Sequence, residues 1–219
     1  TTSSINVDGV ITALNTPIAY STNQIVNISA NLDPLYEFSS WGSDNVILTP
    51  AANSPVASFS VSDNDTVRLY ISKKPTITYK IYPATTTSSI NVDGVITALN
   101  TPIAYSTNQI VNISANLDPL YGFGSWSSDS ILFLPTANSP IASFSVSNND
   151  TVRLNIYKKP TIIYDVDPPG TTTSININGN IISVFPYSET VFKDALNTIN
   201  PNVDPLFSFN SWQTDSNLL

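Results

Sequence analysis

Any chemistry done by this chain would have to run on carboxylates. It has 16 acidic and 8 basic residues and contains no His, Cys or Met. That excludes a Ser-His-Asp triad, a thiolate nucleophile, an imidazole or thiolate metal site and a disulfide framework. The acids that recur along the sequence are Asp8 and Asp93, Asp33 and Asp118, and Asp44 and Asp129. Each sits in a turn signature, and none forms the spaced pair that acid–base hydrolysis uses. Asp33, Asp44 and the run Asp63-Asn64-Asp65 supply oxygen ligands of the kind calcium takes. Their spacing matches no calcium loop, and Asp63 is replaced by Asn148 in a second copy, so turn roles account for them. The expectation is no enzyme, no cofactor and no metal.

Other residues could bind or be modified. Trp41, Trp126 and Trp212 could stack on sugars, but in a small domain one indole is more naturally the core anchor. Asn27, Asn64, Asn112 and Asn149 each begin an Asn-x-Ser/Thr sequon. Asn64 and Asn149 fall in expected turns and are the accessible candidates for glycosylation. Thr66 and Thr151, in Asp-Thr-Val sequences, are candidate O-linked acceptors. Lys73-Lys74 raises the idea of a Lys–Asn crosslink, which needs a catalytic carboxylate in each domain. The one Glu of the first unit, Glu37, becomes Gly122 in the second, which argues against it.

Composition narrows the setting. Of 219 residues, 41% are hydrophobic and 11% charged, and 79 are Ser, Thr or Asn. A net charge of −8 disfavours nucleic acid, whose phosphates need clustered Lys and Arg. No window approaches the ~20 apolar residues of a membrane span. Residue 1 is Thr and no targeting segment precedes it, so a mature or excerpted segment is expected. Low Lys and Glu with high Ser, Thr and Asn points outside the cell.

The elements that position these residues come in repeats. Residues 1–36 recur unchanged at 86–121, a period of 85, and 66 of 83 positions match over 1–83 and 86–168. A divergent third copy follows. Ile175-Asn176-Ile177-Asn178-Gly179 answers Ile90-Asn91-Val92-Asp93-Gly94, and Asp204-Pro205-Leu206-Phe207 answers Asp118-Pro119-Leu120-Tyr121. A period of 85 suits one small domain rather than a solenoid turn. The expected units are 1–74, 75–159 and 160–219, the first without its opening strand and the third truncated.

Alternating residues mark the strands. Ile77, Tyr79 and Ile81 form one. Ile90 to Ile96 is a hairpin whose Asp93-Gly94 pair supplies a type I′ turn. Val111-Ile113-Ala115, Tyr121-Phe123-Trp126, Ala142-Phe144-Val146 and Val152-Leu154-Ile156 follow. Six or seven short strands per unit predict an all-β fold, a small antiparallel sandwich or barrel, with the units as beads in a semi-rigid rod. Ser188 to Leu196 has helical spacing, but its counterparts are β-branched and Asn-rich, so a strand is expected there. Lys-Lys-Pro at each junction makes a short, stiff hinge.

The order of these features resembles the divergent internalin B-repeats of bacterial surface proteins, kin of the Listeria–Bacteroides repeats. The resemblance rests on an Ile-x-Tyr-x-Ile strand, a Val-x-Ile-x-Ala strand, a Tyr-x-Phe-x-x-Trp-x-x-Asp signature and a closing Asp-Thr-Val-x-Leu strand. The signature residues are Tyr36, Phe38 and Trp41, then Tyr121, Phe123 and Trp126, then Phe207, Phe209 and Trp212. Ser40, Ser125 and Ser211 stand where the family has Gly. The resemblance implies core aromatics, no catalysis, and a multi-domain adhesive or stalk-forming protein at the cell surface.

The resulting expectation is a spacer segment of a long extracellular fibrous protein, an adhesin, stalk or filament. Its partners would be neighbouring repeats of the same or another chain, surface glycans or other cells. The alternatives are a phage or viral tail-fibre repeat on a virion surface, and a carbohydrate-binding module array. Unit one lacks a counterpart of Thr76 to Tyr82. Unit three lacks counterparts of the Ala142–Val146 and Val152–Ile156 strands. Both are therefore expected to be open along one edge, with the polypeptide continuing or another chain donating strands.

Overall fold

The computed structural model describes residues 2–214, which form strands and turns with no helix. Unit one holds β1 (Ser4–Val7), β2 (Val10–Thr12), β3 (Ile25–Asn31), β4 (Tyr36–Gly42), β5 (Val56–Ser60) and β6 (Arg68–Lys73). They make a four-stranded sheet in the order β2-β1-β3-β5 and a two-stranded sheet β4-β6.

Unit two has eight strands: β7 (Thr76–Tyr82), β8 (Ser89–Val92), β9 (Val95–Ile96), β10 (Pro102–Ala104), β11 (Ile110–Asn116), β12 (Tyr121–Ser127), β13 (Ile141–Ser145) and β14 (Asp150–Lys158). One sheet runs β10-β7-β14-β12 and the other β13-β11-β8-β9. Inward residues of both share one core, with Ile77, Tyr79, Val152, Leu154 and Trp126 from the first and Ile90, Val111, Ile113 and Phe144 from the second. Each is at most 2% exposed. Burying a Val, Leu, Ile or Phe side chain of this kind stabilises by about 1.5–3 kcal/mol.

Two features differ from the sequence expectation. The short strand β10 had no alternating signal of its own and forms by pairing with β7. The sandwich is also not purely antiparallel, because β14 pairs with β7 in parallel, Val152 opposite Tyr79 and Leu154 opposite Ile81. These are the first and last strands of the unit, so the intervening chain supplies the long crossover a parallel pair requires.

The Asp-Gly turns form as expected. Asp93 and Gly94 have φ of 48° and 85°, and Asp8-Gly9 and Asn178-Gly179 repeat the pair of positive values that a type I′ turn needs. A bulge between Phe123 and Ser125 explains the Phe-x-x-Trp spacing. Strict alternation would put Phe123 and Trp126 on opposite faces. The extra residue lets both reach the core side, with ring centroids 6.0 Å apart. Unit one repeats the bulge between Phe38 and Ser40.

Unit three contains β15 (Thr161–Tyr164), β16 (Ser174–Ile177), β17 (Asn180–Ile182), β18 (Tyr187–Thr190) and β19 (Ile199–Asn202), in sheets β15-β18 and β17-β16-β19. The stretch with helical spacing opens as strand β18 and continues into a turn at Lys193-Asp194, with no helix. Among the described residues each strand pairing joins strands of the same unit.

Candidate functional site

Several of the recurring carboxylates hold the backbone. Asp65 accepts the amides of Asp44 (2.8 Å), Asn45 (3.0 Å) and Val46 (2.7 Å), and that of its own neighbour Thr66 (2.6 Å). Asp150 does the same for Asp129 (3.1 Å), Ser130 (2.9 Å) and Ile131 (3.2 Å), and takes the Ser130 hydroxyl at 2.7 Å. Burial pushes the Asp150 carboxyl up, but the Ser130 hydroxyl and the converging amides outweigh it and hold the group below its ordinary value. Asp65 is lowered by its amides in the same way, against the same opposing burial.

The other acids of the repeated positions also have partners. Asp44 pairs with Arg68 at 2.6 Å, and Asp129 with Arg153 at 2.8 Å. Asp33, Asp118 and Asp204 accept the amide two residues on, from Leu35, Leu120 and Leu206, each at 2.9 Å. This is the turn-forming use of an Asp before proline. Asp8 and Asp93 accept the amide and side-chain Nδ2 of Asn27 and Asn112 at 2.9–3.0 Å. Among the described residues no three carboxylates gather to hold a cation.

The tryptophans separate by unit. Trp41 and Trp126 are 3% and 2% exposed, and their indole Nε1–H groups have no hydrogen-bond acceptor. Their rings are enclosed rather than displayed. Phe38 packs half-buried against the Trp41 cluster, and Tyr121 and Phe123 against that of Trp126, while Tyr36 is also half-buried. In unit three the core reading of the signature does not hold for Phe207 and Phe209, which are 48% and 49% exposed. The reason is topological: β12 pairs only with β14, and no described strand of unit three occupies the β14 place for residues 207–214 to pair with. Trp212 is half-buried against the Tyr164, Ile175 and Ile177 cluster.

Of the glycosylation candidates, Asn64, Asn149 and Thr66 are exposed and Thr151 is half-buried in β14. Asn149 already has a structural bond, its Oδ1 accepting the Thr76 amide at 2.8 Å and hydroxyl at 3.2 Å. Sequence reasoning missed the buried contact of the Tyr79 and Tyr105 hydroxyls at 2.9 Å, which burial keeps protonated by raising both pKa values. Its only sequence signal was a Tyr in the centre of an otherwise aliphatic strand face.

Contacts also cross the junctions. The Glu37 carboxylate of unit one accepts the Thr107 amide of unit two at 3.0 Å, and the Thr107 hydroxyl. At the second junction Lys159 lies 4.3 Å over the Phe192 ring and donates to the Pro119 carbonyl at 3.0 Å. Two surface depressions of about 170 and 320 Å³ hold no converging charged groups. In comparison with known proteins, the chain matches no family model, no curated protein and no solved structure.

Proposed function

We propose that the chain is a non-catalytic spacer segment of a long extracellular fibrous surface protein, an adhesin, stalk or filament of the kind the internalin-like repeats build. The observation that carries this reading is the tandem repeat itself, joined by Lys-Lys-Pro and bridged by Glu37–Thr107 and Lys159–Phe192. Near-identical duplication adds length or valency and is a poor route to a catalytic centre. Enclosed Trp41 and Trp126, and acids spent on turns, favour a load-bearing role over sugar binding.

Solution scattering and NMR relaxation on the 219-residue chain test it. A spacer predicts an elongated distance distribution with the units tumbling together. A compact sphere, or units tumbling independently, would overturn the rod. Millimolar or tighter binding on a glycan array would favour the carbohydrate-binding alternative.

A further inference from the structure

The chain enters unit two through one strand and leaves it through another, and those two strands are paired neighbours. β7 begins at Thr76, directly after Lys74-Pro75, and β14 ends at Lys158, directly before Lys159-Pro160. They run parallel over six opposed pairs, from Ile77–Asp150 to Tyr82–Asn155. A parallel pair puts the incoming end of one strand and the outgoing end of the other at opposite ends of the ladder. Tension along the chain therefore drags β7 backward and β14 forward, along the ladder rather than across it. Every bond of the pair is strained at once, whereas strands peeled from one end break theirs in turn.

We propose that the β7–β14 pair is a mechanical clamp, which lets unit two carry tension between its neighbours without unfolding. Sliding is opposed in several ways. A one-residue slip would turn Ile77, Tyr79 and Ile81, each at most 5% exposed, out of the core. β7 is also held on its other side by β10, with Thr76 opposite Ala104 and Thr78 opposite Pro102. The Tyr79 hydroxyl bonds that of Tyr105 at 2.9 Å, which ties the middle of β7 to the residue that follows β10.

The loaded ends have their own fastenings. Asn149 stands immediately before β14, and its Oδ1 accepts the Thr76 amide at 2.8 Å and the Thr76 hydroxyl at 3.2 Å. This side chain ties the first residue of β7 to the start of β14 and extends the pair by one position. The Pro75 carbonyl accepts the Tyr105 amide at 3.0 Å, and at the exit the Lys159 amide donates to the Leu120 carbonyl at 2.9 Å. Pro75 and Pro160, with their φ fixed, pass force into β7 and on from β14 with little slack. The clamp rests on the spacer reading for its use, since only a chain held at both ends is pulled, but its geometry belongs to unit two alone.

Single-molecule force spectroscopy on the 219-residue chain tests the clamp. The chain has no Cys, so a pair of introduced thiols gives a defined pulling direction. Handles on Lys73→Cys and Lys158→Cys, both exposed positions, load the clamp in shear. Handles on Ala84→Cys and Lys158→Cys, at the same end of the two strands, peel it. Shear should rupture unit two in one step at several-fold higher force than peeling at the same loading rate. That step should release one 85-residue repeat, roughly 300 Å of extended chain. Asn149→Ala should lower the shear force and leave the peeling force unchanged. Equal forces in the two directions, or an equal loss from Asn149→Ala in both, would overturn the clamp. Either result leaves the elongated shape of the chain untouched, and a compact scattering profile leaves the force difference untouched, so the clamp and the rod fail separately.

Discussion

Gly122 lies against the ring of Tyr157 on the neighbouring strand, with no room between them for a Cβ. In unit one the same cross-strand pair is Glu37 and Ser72. The two positions have changed together, a small residue always facing the large one. Gly42 and Tyr70 repeat the pattern, since a Cβ on Gly42 would come 2.7 Å from the Tyr70 ring, and their unit-two counterparts are Ser127 and Asn155.

Placing unit one's residue in unit two tests this coupling. Gly122→Glu alone should destabilise unit two by about 1–3 kcal/mol, the usual cost of overpacking. Adding Tyr157→Ser should recover most of it. Chemical denaturation of the two single variants and the double variant measures the coupling, and additive effects would contradict it.

Truncating the anchor should separate core from surface. Trp126→Ala should cost about 3–5 kcal/mol, as large aromatic deletions in cores do. Phe207→Ala, at a half-exposed ring, should stay within about 0.5 kcal/mol. Thermal unfolding followed by near-ultraviolet circular dichroism reads both.

Acid should weaken unit two through Asp150. Its carboxyl is held below the ordinary value near 3.9, so its stabilising contribution is complete above that pH. It is lost as pH falls through the lower folded value, where the proton breaks the amide cradle. Asp150→Asn should cost about 1–3 kcal/mol at pH 7 and flatten the acid limb of a stability–pH curve below about pH 4. An unchanged acid limb would assign it to other groups.

The junction contact should affect coupling more than stability. The Thr107 hydroxyl, followed by its amide, holds the Glu37 carboxyl below its usual value. The latch therefore persists at neutral pH and loosens as acid protonates it. Thr107→Val should leave stability within about 0.5 kcal/mol while increasing independent motion of units one and two in residual dipolar couplings.

The all-β class, the repeat and the Asp-Gly turns were legible in the sequence because each rests on local chemistry. Alternation marks a half-buried strand, and Asp93-Gly94 accepts positive φ whatever surrounds it. The duties of the acids were only half legible. Asp118 bonds Leu120 two residues away, which spacing suggests, but Asp150 bonds an amide run some twenty residues distant, which spacing does not.

What the tertiary structure decided is visible where one sequence has two outcomes. Pro102-Ile103-Ala104 is a strand and Pro17-Ile18-Ala19 is not, although the 36 residues around them are identical. Three residues carry too few backbone bonds to hold an extended edge alone, so pairing with β7 decides it. The same holds for Phe207, whose signature predicts a core aromatic but whose burial needs a partner strand. The sequence by itself determined which segments can be strands and which turns join them. Which strands are paired, and so which apolar faces are covered, depended on neighbours far along the chain.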